Sequence, residues 1–161
     1  MPHRLSRGKT RVASRCTGQA AVEKSATAHL HLLKSKRILN ISTFNVQTLN
    51  SLRKTNELVY NAIKYSIDII SIQEHRFTHE ELLKYHELDE KWLLVTSSAT
   101  RNSANDSIGG VGILLSPFAR RSLVNIESMN DRIVIATFNG NPKTTIIATY
   151  SPTNISDDDV I

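Results

Sequence analysis

With 161 residues, 40% of them apolar, the chain is long enough to bury the core of one ordinary domain. A single cysteine, Cys16, excludes an internal disulfide and a cysteine-based zinc site, and no apolar run approaches the length that crosses a bilayer. The net charge of +5 is unevenly held: residues 1–37 carry nine Lys and Arg against Glu23 alone, a balance of +8, while residues 38–161 carry eleven against fourteen acids, a balance of −3. The basic character therefore belongs to the leading segment, and it is no argument that the folded part binds nucleic acid.

Residues 1–37 are rich in Arg, Ser, Thr and Ala and poor in acids and aromatics, a composition that predicts disorder. A basic arm can hold nucleic acid nonspecifically, although solvated basic tails are commoner, and Arg-rich, acid-poor segments also serve as transit peptides. A plain linker is the preferred reading. His29 and His31, two residues apart, do not share a helix face and make no metal pair.

Residues 38–45 read as a first strand, with Leu39, Ile41, Thr43 and Asn45 on one face. Leu52, Val59, Ala62 and Ile63 recur at helical spacing and predict a helix over 52–65. Ile67, Ile69, Ile70 and Ile72 form a nearly continuous β-branched run, which suits a strand covered on both faces over 67–73. Strand, helix, strand in this order predicts a parallel pair joined by a right-handed crossover in a layered α/β fold. Residues 77–90, with His79, Glu80, Glu81, Lys84, His86, Glu87, Asp89 and Glu90, predict a short solvated helix; the mixture of His and Glu there suits a wet face better than a metal site.

Trp92–Val95 begins a strand, and residues 97–108 read as a polar loop. Gly109-Gly110-Val111-Gly112 opens another strand. No Lys-Ser/Thr follows these glycines and no helix begins there, so they are not a phosphate-cradling loop; glycine here lets another backbone come close. Leu123–Ile126, Ile133–Phe138 and Thr144–Tyr150 are further strands, the last two joined by a turn at Asn139-Gly140 with Asn141-Pro142 behind it.

Asn45, Glu74 and Tyr150 each stand where a predicted strand ends. If the strands share a sheet, the three can meet on one rim, where sites in layered α/β proteins collect. Glu74 then offers charge to a hard cation, Asn45 offers its oxygen to the metal or its amide protons to a phosphate, and Tyr150 can hydrogen-bond a phosphoryl oxygen, with Pro152 fixing the backbone behind it. The plainer alternatives are a turn Asn, a solvated Glu and a half-buried strand Tyr.

The segments ILNISTFNVQTLN (38–50), DIISIQEHR (68–76), GGVGILLSP (109–117), DRIVIATFNG (131–140) and TTIIATYSPTN (144–154) cover nearly all of residues 38–154. Together, and in this order, they resemble the endonuclease/exonuclease/phosphatase superfamily. This is the fold of apurinic/apyrimidinic endonucleases and DNase I-like enzymes. Within it the chain looks most like the endonuclease domains of non-LTR retrotransposons, among them the craniofacial-development-protein-2-like reading frames. The Gln-Glu and Tyr-x-Pro elements are fairly specific together and weak apart.

The resemblance implies a DNase I-like four-layer α/β sandwich over 38–161, truncated to roughly its first half to two thirds. It implies Mg²⁺ (or Mn²⁺) as cofactor, with Glu74 and Asn45 at the metal and Tyr150 positioning phosphate. It implies DNA as partner of the intact protein, no membrane, and a nuclear location if the origin is a retrotransposon. By the same resemblance Arg132 is structural and His75 takes no catalytic part. Family members continue into Gly-Asp-Phe-Asn and Ser-Asp-His, which supply the base and a phosphate-pairing His. This chain has no Asp-x-Asn after Tyr150, Asp157–Asp159 being a plain acidic run, and no histidine beyond His86. The expectation is therefore a fragment with little or no activity, its second sheet largely encoded downstream and one sheet face uncovered. A non-catalytic module for nucleic-acid or protein binding, and a lipid or inositol phosphate phosphatase on the same scaffold, are the alternatives.

Overall fold

The computed structural model describes residues 37–49 and 51–151. Of the residues 1–37 expected to be disordered, 1–36 lie outside the described residues, as does Pro152 with the acidic run behind it; Arg37, the last of them, is described and is fastened to Asp68. In chain order the elements are β1 (Ile41–Asn45), α1 (Leu52–Lys64), β2 (Ile69–Gln73), β3 (Leu83–Glu87), β4 (Leu93–Ser97), β5 (Thr100–Arg101), β6 (Ser107–Ile108), β7 (Val111–Leu115), α2 (Pro117–Ser122), β8 (Leu123–Asn130), β9 (Ile133–Phe138) and β10 (Thr144–Thr149), with a single 3-10 turn at Asp89–Lys91.

A five-stranded sheet in the order β1-β2-β7-β4-β3 forms the centre. β1 and β2 run parallel with Asn45 beside Gln73, as the helix-linked pair requires, and every other neighbour is antiparallel. The isoleucines of β2 face both ways, which explains their unbroken run. Ile70 and Ile72 pack with Leu58, Val59 and Ala62 of α1 and with Leu94 and Leu114. Ile69 packs on the opposite face with Val95, Val111, Ile113 and Leu115 against a second sheet, β10-β9-β8, which contributes Val134, Ala136, Phe138 and Ala148. The chain is thus mixed α/β, mostly strand, and its described elements stack as helix, sheet and sheet.

Two expectations need correction. The second sheet, expected to be largely encoded downstream, is present here as at least three strands, β8, β9 and β10, and its outer face carries Ile147, 59% exposed. Residues 77–90 are not a helix. β3 pairs with β4 over Leu83–Glu87, and Asp89–Lys91 turns the chain between them. Of the charges that suggested a wet helix, Lys84 and Glu87 instead line the outside of an edge strand, where they discourage further strand pairing. The loop over 97–108 is largely as expected, save that β5 and β6 pair briefly within it.

Ser51 caps α1 by accepting from Lys54 N, and Ser116 caps α2 by accepting from Ala119 N. Asp68, buried just before β2, fastens three distant segments. Its carboxylate accepts from Arg37 Nη2 at 3.0 Å, Ser116 Oγ at 3.2 Å and Asn40 N at 3.3 Å. The Arg37 guanidinium also lies 3.6 Å over the ring of Phe118. Asp68→Ala is expected to cost about 2 kcal/mol, because the buried Ser116 hydroxyl and the part-buried Asn40 amide lose their acceptor. Urea unfolding measures this, and a midpoint equal to that of the parent chain refutes it.

Candidate functional site

β1 and β2 end side by side, and the chain beyond β2 stays gripped on both sides. Val46 N donates to Gln73 O and Leu49 N to His75 O, each at 3.0 Å. On the other flank Glu74 N donates to Gly110 O at 2.9 Å and Arg76 N to Gly109 O at 3.1 Å. Glu74 and Arg76 both take left-handed backbone, φ 58° and 62°, which costs a non-glycine residue of order 1 kcal/mol each. The result is an alternation: Glu74 and Arg76 face the rim, and His75 between them is driven into the core with no exposed surface.

His75 is held at both ring nitrogens. Phe77 N donates to Nδ1 at 2.9 Å, so Nδ1 is the acceptor and the proton sits on Nε2, which donates to Val111 O at 3.2 Å. Burial, above all, lowers its pKa to about 4, and the neighbouring His79 and His86 push the same way. At neutral pH it is an uncharged post beneath the rim.

Asn45 donates from Nδ2 to Glu74 Oε1 at 2.8 Å and accepts at Oδ1 from Gln47 N at 3.1 Å. These partners settle the orientation of the amide: its oxygen must meet the backbone N–H and its nitrogen the carboxylate. Asn45 therefore orients Glu74 and keeps one oxygen lone pair for a cation. Gln73, beneath, is tied to Thr43 and Ser71.

Tyr150 arrives from the second sheet. Its N–H donates to Arg132 O at 3.0 Å, and its ring lies where a side chain on Gly109 would meet it at 3.7 Å. The phenol is raised above its ordinary pKa by burial first, then by Glu74, which acts on it as a charge and as a hydrogen-bond acceptor; Arg132 and Arg76 pull the other way. At neutral pH the hydroxyl keeps its proton and is a donor.

The three residues singled out in the sequence, Asn45, Glu74 and Tyr150, thus stand together, and the rim also gathers two side chains that sequence reasoning left aside. Arg76, two residues past Glu74, returns to the same side because the left-handed backbone at Glu74 and at Arg76 turns His75 inward between them, a conformation that no periodic pattern in the sequence signals. Arg132, expected to be structural, does pair its backbone with Tyr150, yet its side chain is 42% exposed beside the phenol.

Among the described residues no three His, Cys, Asp or Glu gather as a metal cage. The rim offers one carboxylate and one amide oxygen, which fits a hard cation that completes its shell with water and phosphate, the habit of Mg²⁺. Elsewhere, on the α1 face, a cleft of about 350 Å³ is lined by Leu49, Phe77, His86, Leu88 and Leu94 among others. Its walls are apolar, and its one carboxylate, Glu87, is already bound by both terminal nitrogens of Arg120. No family model matches the chain, and no curated protein is detectably similar to it.

Proposed function

We propose that this rim is the cation- and phosphate-gripping half of a Mg²⁺-dependent phosphodiesterase site. The chain is then the amino-terminal part of a DNA endonuclease of the endonuclease/exonuclease/phosphatase superfamily, of retrotransposon type, with the DNase I-like sandwich as its complete form. What carries the reading is the meeting of Asn45, Glu74 and Tyr150 at one sheet edge, from three strands and two sheets.

Each residue has a task its geometry suits. Glu74 would hold Mg²⁺ (or Mn²⁺), Asn45 fixes the rotamer of Glu74, and the protonated Tyr150 hydroxyl donates to a phosphoryl oxygen. The bound cation supplies charge neutralisation at the phosphate. The missing task is deprotonating the attacking water. His75 has both nitrogens engaged in the core, and Glu74 is committed to Asn45 and the cation. A positioned base contributes about 10²–10⁴-fold, so these residues alone bind a phosphodiester and scarcely cleave it.

Fluorescence anisotropy with a labelled DNA duplex tests this. Binding should strengthen on adding Mg²⁺ over EDTA, and Glu74→Gln should abolish the increment while the protein stays folded. Nicking of plasmid DNA should be near background. Robust nicking that Glu74→Ala abolishes would place a base within this chain. Binding indifferent to Mg²⁺ and to Glu74, and lost on deleting residues 1–37, would establish the binding-module alternative instead.

A further inference from the structure

We infer that the cleft on the α1 face is a second binding site, one that takes a flat aromatic ring carrying an N–H or O–H donor. The ring lies against the apolar walls, and its donor meets His86 Nδ1. The site lies apart from the rim and stands whether or not the rim is a phosphodiesterase site.

The hydrogen bonds around Thr96 decide which nitrogen of His86 is bare. His79 Nδ1 meets Glu81 O at 2.7 Å; a carbonyl only accepts, so this nitrogen carries a proton. In the uncharged His79 ring Nε2 is then an acceptor, and Thr96 Oγ1, 3.3 Å away, donates to it. That spends the one proton of the hydroxyl. Towards His86 Nε2, at 3.1 Å, Thr96 Oγ1 can therefore only accept, so the proton of His86 sits on Nε2 and Nδ1 keeps a lone pair. Burial first, then Lys84 and His79, lower the pKa of His86, which keeps its ring in this uncharged form at neutral pH.

His86 Nδ1 has no partner among the described residues. It is not sealed in either, since Ser122 Oγ is the only buried side-chain polar atom among them without a partner. His86 pairs with Leu94 across β3 and β4, so its ring stands on the α1 face, and the opening beside it there is the cleft. The other polar side chains of the lining are engaged: Thr55 Oγ1 donates to Ser51 O, Ser51 Oγ accepts from Lys54 N, and Glu87 is bound by Arg120. An acceptor without a donor, set among Leu49, Phe77, Leu88 and Leu94, suits a ligand that is apolar over most of its surface and donates once. The rings of Phe77 and His86, 5.4 Å apart and inclined at 35°, are two aromatic walls for a third ring. At about 350 Å³ the cleft is at the small end of ligand sites, with room for a fused ring pair and not for a long chain.

The test titrates the ¹⁵N-labelled full chain at pH 8, above the ordinary range of imidazole, with indole and with benzofuran, which has the same outline and an oxygen in place of the N–H. Indole should shift the amides of Leu49, Phe77 and Leu88 saturably. It should bind about three- to tenfold more tightly than benzofuran, the worth of one hydrogen bond. His86→Phe keeps an aromatic wall, removes the acceptor and should bind the two alike. Equal affinities in the parent chain, a preference for indole that survives in His86→Phe, or no saturable shift at these amides up to the solubility of indole, overturns the site. The comparison of the two ligands in the parent chain needs no variant, so it decides the matter even where His86→Phe fails to fold.

Discussion

Gly110→Ala is expected to lower the unfolding free energy by about 3–5 kcal/mol, whereas Gly109→Ala, one residue away, should cost about 1 kcal/mol. Both glycines have left-handed backbone, φ +69° at Gly109 and +85° at Gly110, so both substitutions pay the same conformational penalty. They differ in what a new methyl meets. At Gly109 the nearest atoms belong to the Tyr150 ring at 3.7 Å, an ordinary contact. At Gly110 the methyl falls 2.5 Å from His75 Cε1 and 2.9 Å from Nε2. His75 cannot give way, since it is wholly buried and held at both nitrogens. Chemical denaturation of the two variants beside the parent measures the difference. Equal costs at the two positions would mean that the imidazole is not fixed where it is described. Pushing on His75 would move Glu74 and Arg76 together, so, on the function proposed above, Gly110→Ala should also weaken Mg²⁺-dependent DNA binding.

Acidification should destabilise the fold through the same imidazole. His75 titrates near 4 in the folded chain and near the ordinary 6.5 when unfolded. Between these values the unfolded chain binds the extra proton, so the stabilisation is complete above pH 6.5 and is lost as pH falls towards 4. The difference corresponds to about 3 kcal/mol. His86, lowered by burial first and then by Lys84 and His79, acts in the same direction. Carboxylates also titrate at the low end, so the readout is the difference between the parent and His75→Gln. Glutamine can accept from Phe77 N and donate to Val111 O without titrating. Thermal or urea unfolding across this range should show a markedly shallower loss in the variant. Identical pH profiles would show that His75 is not the group responsible.

How much of this was legible beforehand varies by element. β2 could be read from its isoleucines because a strand buried on both faces needs no alternation, and α1 from its spaced apolar residues. The approach of another backbone at the Gly-rich start of β7 was also legible: a side chain on Gly112 would stand 2.8 Å from Val95 O. β3 was not legible, because an edge strand with one solvated face and several charges carries little periodic signal, and its partner β4 decides its form. The rim was half legible: Asn45, Glu74 and Tyr150 announce themselves as polar residues at strand ends.

The sequence by itself determined the order of the elements, the division of charge between the leading segment and the rest, and which strands end on residues able to meet a cation or a phosphate. Only the tertiary structure decided that those ends share one rim, that His75 turns inward while Glu74 and Arg76 turn out, and that Arg132 joins them from the second sheet. The physical reason is range. Periodicity and turn chemistry act over a few residues and can be read along the chain. The grip of Gly109 and Gly110 on Glu74 and Arg76, and the stacking of β9 and β10 on the central sheet, depend on pairings between residues far apart in sequence, which no local pattern specifies.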